Sequence, residues 1–230
     1  MADLVMVIED EREIRDLIRY NLERAGFQVS AVADGDEGLK RLFATRHTAV
    51  VLDLMLPGRS GLDVLREVRG EPTTRDLPVV VLTARSAEMD KLLGFEQGAD
   101  DYMTKPFSPR ELVARLKALL RRAGPSRAEG VVEVGGLVVD ALAREAVWKG
   151  NRLTLTPREF DLISFLARHP GRVMSRGELL RKVWGYDYVG DPRTVDVHVR
   201  RLRMKLGPGE PLIETVTGAG YKLVAPRAVH

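Results

Sequence analysis

The stretch "AVVLDLMLPGRSG", Ala49–Gly61, decides the fold. Its first four residues suit a buried strand, and the fifth is an aspartate, Asp53. Burying an unpaired carboxylate is costly, so Asp53 needs a cation, a partner or a surface crevice. Which of these it finds depends on what else in the chain reaches the end of that strand.

Working outward, other strand-like apolar runs lie at Leu4–Ile8, Phe27–Val32, Pro78–Thr83 and Asp101–Thr104, with this one spanning Thr48–Leu52. Segments of helical period separate them. Glu11–Ala25 places Ile14, Leu17, Ile18 and Leu22 three and four residues apart, and Asp36–Ala44, Gly61–Arg69, Ala87–Gln97 and Pro109–Arg122 read similarly. Strand then helix, five times over, predicts an α/β domain with a doubly wound parallel sheet over residues 1–122. Ligands bind such sheets at the carboxyl ends of the strands.

"AGPSRAEG", residues 123–130, is small, polar and broken by Pro and Gly, and reads as a linker. Residues 131–230 have another rhythm. "VVEVGGLVVDALAREAVWKGNRLTLT" alternates apolar and polar residues, with turns at Gly135–Gly136 and Gly150–Asn151, and predicts a small antiparallel sheet. "TPREF" offers Thr156, Pro157 and Glu159 as a capping box, and Ser175 with Glu178 offers a second. "DPRTVDVHVRRLRMKLG" is a third helix stopped at Gly207-Pro208, and "LIETVTGAGYKLV" is a hairpin. Three helices closed by a hairpin describe a winged helix-turn-helix.

Charge divides with the architecture. Residues 1–122 hold 19 Lys and Arg against 21 Asp and Glu, and residues 123–230 hold 17 against 12. A basic second half suits nucleic acid, or simply a solvated surface. The chain has no cysteine, which excludes disulfides, thiol catalysis and thiolate metal sites and suits a reducing cytosol. "MADLVMVIEDE" lacks a basic n-region and a long apolar run, so we expect no signal peptide, no membrane span and a cytoplasmic protein.

The strand ends return the argument to Asp53. The first strand ends in Glu9 and Asp10, the fourth in Thr83 and Ala84, the fifth in Lys105. Three carboxylates at one edge repel one another unless a cation sits among them, and hard oxygen ligands without His or Cys favour Mg²⁺. Taken singly, each residue has an ordinary use: Glu9-Asp10 as a helix cap, Asp53 in a turn, Lys105-Pro106 in a loop, Thr83 in a strand. Together on one edge they suit capture of a phosphoryl group, with the carboxylate attacking and Lys105 and Thr83 holding the oxygens.

"EDE" at Glu9–Glu11, "DLMLPGRSG" at Asp53–Gly61, "LTA" at Leu82–Ala84 and "GADDYMTKPF" at Gly98–Phe107 resemble the receiver domain of two-component response regulators. With the winged helix, nearly the whole chain resembles the OmpR/PhoB subfamily, and its first half resembles phosphate-regulon regulators. The resemblance implies strand order 2-1-3-4-5, Asp53 as phosphoacceptor from a sensor histidine kinase, and Mg²⁺ on Asp10, Asp53 and the Met55 carbonyl, with Glu9 assisting through water. It implies a cis Lys105–Pro106 bond and a switch in which Thr83 moves and Tyr102 turns inward. It further implies a phosphorylation-dependent homodimer through the helix over 87–97, the fifth strand and the helix over 109–122. There we expect intermolecular pairs Lys91–Glu111, Asp101–Arg115 and Glu96–Lys117. Kinase specificity is expected on the first helix, around Arg15–Arg19.

On the third winged-helix helix, Val195, Val199, Leu202 and Leu206 make the predicted buried stripe. Thr194, Val197, His198 and Arg201 are placed opposite, flanked by Arg193, Arg200 and Arg203. Insertion into promoter DNA would bring Val197 to a thymine methyl and Arg201 to a base edge, with Arg193, Arg200 and Arg203 on phosphates. On the wing, Thr217 stands where some relatives carry arginine, which puts minor-groove readout in doubt, and Lys222 is expected near the backbone. The loop Trp184–Asp191 is expected to meet RNA polymerase, or Trp184 simply fills the core.

Two other functions were weighed. An aspartate-nucleophile phosphatase carries a second aspartate two residues after the nucleophile; that position is Met55, so transfer should stop at the phosphoaspartate, with at most slow self-dephosphorylation. A constitutive DNA-binding protein with a relic receiver sits poorly with an intact set of pocket residues.

Overall fold

The computed structural model describes residues 3–84, 98–120, 130–185, 191–208 and 212–224. The chain separates into two compact units, Met1–Arg122 and Ala123–His230. The helix expected over 87–97 and nearly all of the expected linker lie outside the described residues.

In the first unit, β1 (Leu4–Ile8), β2 (Gln28–Val32), β3 (Ala49–Asp53), β4 (Val79–Ala84) and β5 (Asp101–Lys105) pair in parallel in the order β2-β1-β3-β4-β5. This is the expected order. β3 is the middle strand and all five of its residues are buried. A central strand covered on both faces has no solvent side, which is why it reads as an unbroken apolar run rather than an alternation.

Helices Arg12–Arg24, Gly35–Ala44, Gly61–Gly70 and Pro109–Leu120 connect and cover the sheet. Short polar side chains begin two of them: Asp34 accepts the Glu37 N–H at 2.9 Å, and Ser60 accepts that of Asp63 at 3.2 Å. One expectation fails on the first helix. Ile18 and Leu22 are buried, but Leu17 is 45% exposed beside an equally open Tyr20. Leu17 sits 100° around from Ile18, beyond the edge of a narrow covered stripe.

The chain returns close to Asp53 at Gly61. A Cβ there would lie 2.0 Å from the Asp53 carbonyl oxygen and 2.6 Å from Leu54 Cα. Only glycine lets the helix start this near to the end of β3.

The second unit opens with four antiparallel strands, β6 (Val131–Val134), β7 (Leu137–Asp140), β8 (Glu145–Trp148) and β9 (Asn151–Arg152). Gly135–Gly136 makes a tight turn, as expected. The later turn is Lys149–Gly150, both with positive φ, so Asn151 already pairs with Trp148. Thr156 and Glu159 form the expected capping box on helix Pro157–Ala167. Ser175 caps the next helix, but the Glu178 carboxylate takes Arg172 instead. That helix is α-helical over Arg176–Leu179 and continues as a π-turn through Leu180–Trp184. Helix Arg193–Leu206 and the hairpin of β10 (Ile213–Val216) and β11 (Gly220–Leu223) complete a winged helix.

Trp184, left open by the sequence, is 1% exposed and packs edge-on against His198, with ring centroids 5.0 Å apart. His198 is fully buried, and its Nδ1 lies 2.8 Å from the Thr194 carbonyl. Burial, then the neighbouring Arg201 charge, hold its pKa well below the ordinary 6.5. The unfolded chain therefore binds one more proton than the fold at acid pH. Stability from this group is complete above pH 6.5 and falls as the pH drops below it, by up to about 1.4 kcal/mol per pH unit. Both tryptophans, Trp148 and Trp184, lie in this unit and report its unfolding alone. Urea melts followed by fluorescence between pH 7 and 5.5 should show a shallower pH slope in His198→Gln, by about 0.6 proton on average across that window; an unchanged slope refutes the assignment.

Candidate functional site

The expected pocket residues converge at the carboxyl edge of the sheet. Lys105, at the end of β5, places its Nζ 2.6 Å from Asp53 Oδ2, 2.8 Å from Glu9 Oε1 and 3.3 Å from Glu11 Oε1. The Lys105–Pro106 bond is cis, as expected. Asp53 Oδ1 accepts the Met55 N–H at 3.0 Å. Met55 itself is exposed, leaving its main chain at the pocket mouth.

The electrostatics follow from burial. Glu9 is fully buried, and among the described residues its Oε2 has no hydrogen-bond partner. Desolvation lifts its pKa to about 7; the bond to Lys105 opposes that rise and the Asp53 charge adds to it. Burial works against the Lys105 charge, but the bonds to Asp53 and Glu9 outweigh it and push its pKa upward. One ammonium thus offsets crowded acids.

Glu9, Asp10 and Asp53 each offer an oxygen, all within 4.8 Å of one another. The all-oxygen donor set and the orphaned Glu9 Oε2 fit a hard divalent cation such as Mg²⁺. Thr83 Oγ1, at the end of β4, is buried, and has no hydrogen-bond partner among the described residues. Tyr102 is also buried, at 8% exposure.

One pocket residue was missed by the sequence reading. Arg15 reaches back from the first helix, and its Nη1 donates to the carbonyls of Glu9 (2.7 Å) and Asp10 (2.8 Å). It was noted only as part of a kinase-facing segment. The signal was its place one helical turn beyond "EDE", on the side facing the strand end.

On the expected dimer face, Asp101 and Arg115 already pair with each other within the chain. Arg115 Nη1 donates to Asp101 Oδ1 at 2.8 Å and to the Tyr102 carbonyl at 3.0 Å, while Nη2 takes Glu111 at 2.6 Å. Asp101 is fully buried and Arg115 nearly so; a buried carboxylate takes the nearest cation. Glu111 is half-buried and Lys117 is exposed. Lys91 and Glu96 lie outside the described residues.

The third winged-helix helix buries two stripes rather than one. Val195, Val199 and Leu202 are covered as expected, with Leu206 half-buried. Thr194, His198 and Arg201, placed on the open face by sequence, are buried too. The reason is Glu159, which is 1% exposed and needs cations. Lys205 Nζ reaches its Oε2 at 2.5 Å, and Arg201 Nη1 lies 3.8 Å from its Oε1. The Thr194–His198–Arg201 stripe therefore turns inward. What stays exposed is Arg193, Arg200 and Met204, with Val197 half-buried between them. Arg203 is engaged with the hairpin, donating to the Ile213 carbonyl at 2.7 Å and to Thr215 Oγ1 at 2.8 Å. Thr217 is exposed at the wing tip, and Lys222 pairs with Glu214 across the hairpin at 2.9 Å.

Among the described residues, no helix is long and apolar enough to cross a membrane. Residues 5–117 match the family described as response regulator receiver domain, and residues 150–223 match transcriptional regulatory protein, C terminal. The alkaline phosphatase synthesis transcriptional regulatory protein PhoP of Bacillus subtilis is 45% identical, covering 99% of both chains. The phosphate regulon transcriptional regulatory protein PhoB of Escherichia coli is 45% identical over 96% of this chain and 98% of its own. The sensory transduction protein RegX3 of Mycobacterium tuberculosis is 45% identical over 95% and 98%. Among solved structures, the response regulator DrrB of Thermotoga maritima, an OmpR/PhoB homologue, is 34% identical with a TM-score of 0.53, covering 97% of this chain and 100% of its own. With an acidic pocket on a receiver sheet, a winged helix following it in the chain and relatives matched from end to end, the chain belongs to the OmpR/PhoB-type response regulators.

Proposed function

We propose that Asp53 accepts a phosphoryl group from a partner sensor histidine kinase and thereby switches promoter binding by the winged helix. The observation that carries this reading is the convergence of Lys105 Nζ on Asp53 and Glu9 beside the unpartnered Thr83 hydroxyl. In the transfer, an Asp53 carboxylate oxygen forms the bond to phosphorus as the bond to the donor imidazole nitrogen breaks. Lys105 exchanges its bond to Asp53 for one to a phosphoryl oxygen, and Thr83 donates to another. Asp10, Asp53 and the Met55 carbonyl would hold Mg²⁺, with Glu9 assisting through water, and the ion would supply positive charge to offset that of the phosphoryl oxygens. Arg15 fixes the backbone that carries Glu9 and Asp10. Met55 stands where a hydrolase would keep an acid-base aspartate, so the phosphoaspartate persists and the protein turns over no metabolite.

The phosphorylated form pairs through the face of the segment over 87–97, which lies outside the described residues, the fifth strand and the 109–120 helix, and reads tandem half-sites. Since Arg115 is committed within its own chain, the exposed Lys117 is the cleaner probe of that face. Arg193, Val197 and Arg200, on the open stripe of the third helix, are the DNA contacts the geometry favours, with Thr217 on the wing. The Trp184–Asp191 segment, whose residues 186–190 lie outside the described ones, meets RNA polymerase, and the names of PhoB and PhoP support phosphate-responsive genes as targets.

Asp10→Asn should weaken Mg²⁺ binding by about tenfold or more in titration calorimetry; unchanged affinity removes Asp10 from the ligand set. Lys117→Glu should weaken dimerisation of the beryllofluoride-treated protein in sedimentation, and an unaltered dimer constant counts against this face. Selection from a random DNA library, with Mg²⁺ and with or without beryllofluoride, should enrich tandem half-sites mainly in the activated sample. Equal enrichment, or the same behaviour in Asp53→Asn, would leave a DNA-binding protein without a phosphorylation switch.

A further inference from the structure

Asp196 stands out on the third winged-helix helix. It lies three residues beyond Arg193 and next to Val197, on the side the helix offers to DNA, and its side chain is 37% exposed. A carboxylate there repels phosphate, so its presence calls for a compensating role. The geometry supplies one. A single oxygen, Oδ1, accepts from Arg176 Nε at 2.6 Å and from the Tyr221 hydroxyl at 2.7 Å. Arg176 begins the second helix and Tyr221 belongs to β11 of the wing. The Arg176 guanidinium lies 5.1 Å from the Tyr221 ring centroid, and its Nη2 reaches the hydroxyl at 3.4 Å.

The wing is held at the same residue through its backbone. Met174 N–H donates to the Tyr221 carbonyl at 2.8 Å, and the Tyr221 N–H donates to the Met174 carbonyl at 2.9 Å. A Cβ on neighbouring Gly220 would lie 2.0 Å from the Met174 carbonyl oxygen, so the hairpin meets the second helix's entry with no spare room. Asp196 adds the third helix to this junction. Its two bonds span 20 and 25 residues of sequence, so they carry tertiary rather than local information.

We propose that Asp196 is a positioning residue of the DNA-binding surface: it fixes the wing and Arg176 against the third helix, and Arg176 contacts a DNA phosphate. Arg176 Nε is spent on Asp196, and the guanidinium, 35% exposed in its side chain, keeps N–H groups for an anion. Held in this way it needs little ordering on binding, which is where a flexible surface arginine loses affinity.

The proposal rests on the DNA-binding reading, and the sign of the effect tests it. Removing a negative charge from a DNA-facing surface should tighten binding if the charge does nothing else. We expect Asp196→Ala to bind instead about tenfold more weakly. The probe is a 30-base-pair duplex of mixed sequence, measured by anisotropy with the full chain in Mg²⁺ and beryllofluoride across a KCl series. Tyr221→Phe, which loses only the hydroxyl, should weaken binding in the same direction by less, with its tryptophan-reported melt near that of the parent. Arg176→Ala should lower the salt slope by about 0.9, the value for one phosphate. Equal or tighter binding by Asp196→Ala overturns the positioning role, as does parental affinity in Tyr221→Phe. An unchanged slope in Arg176→Ala overturns the phosphate contact. Failure of the parent protein to bind the duplex at low salt would instead strike the DNA reading itself.

Discussion

The Lys105 ammonium is the constraint on which the receiver unit turns. Three acids meet at the carboxyl edge of a parallel sheet, and two of them, Glu9 and Asp53, are almost completely buried. Such a cluster cannot stay ionised without a cation, and Lys105 is placed within 3 Å of both. Everything that fixes Lys105 therefore also fixes the pocket: the pairing of β4 with β5 and the packing of the helix that follows. The pocket is a charge balance built into the sheet, and a site whose charges are balanced by a movable side chain can accept new ligands by exchange.

The same logic orders the rest of the molecule. Asp101 is buried and takes Arg115; Asp100, also buried, takes Arg69 at 2.7 Å; Glu159 takes Lys205. Each pair ties a helix to a strand, a loop or another helix. Removing one partner would strand a buried charge, a far larger penalty than the loss of an exposed ion pair. These pairs consume several side chains that look from sequence like surface charge.

That is also where the sequence stopped being legible. Strand ends and helical periods follow from local spacing, so the elements, the first capping box and the pocket could be read from residues alone, whereas the sheet order came with the family resemblance. Asp10, Asp53, Thr83 and Lys105 all sit at strand ends, and topology brings strand ends together. Arg201 and His198 were misplaced because polarity is a poor guide to exposure when an acid such as Glu159 waits on a neighbouring helix. Leu17 was misplaced for the opposite reason: an apolar residue just off the covered stripe. Arg15 and Asp196 act through partners that no short spacing reveals, main-chain carbonyls in one case and residues 20 and 25 positions away in the other.

Gly61 has a mechanical consequence. Where packing leaves free volume, a small backbone displacement is absorbed by the gap. Here the start of the 61–70 helix rests on the Asp53 carbonyl with no space for even one carbon. Close-packed contacts transmit motion instead of damping it. The Asp53 peptide and this helix are packed as one linkage, so a shift at the end of β3 would pass into the helix without slack. The missing side chain at position 61 is thus less a concession to crowding than the joint through which the chemistry at Asp53 can be felt outside the pocket.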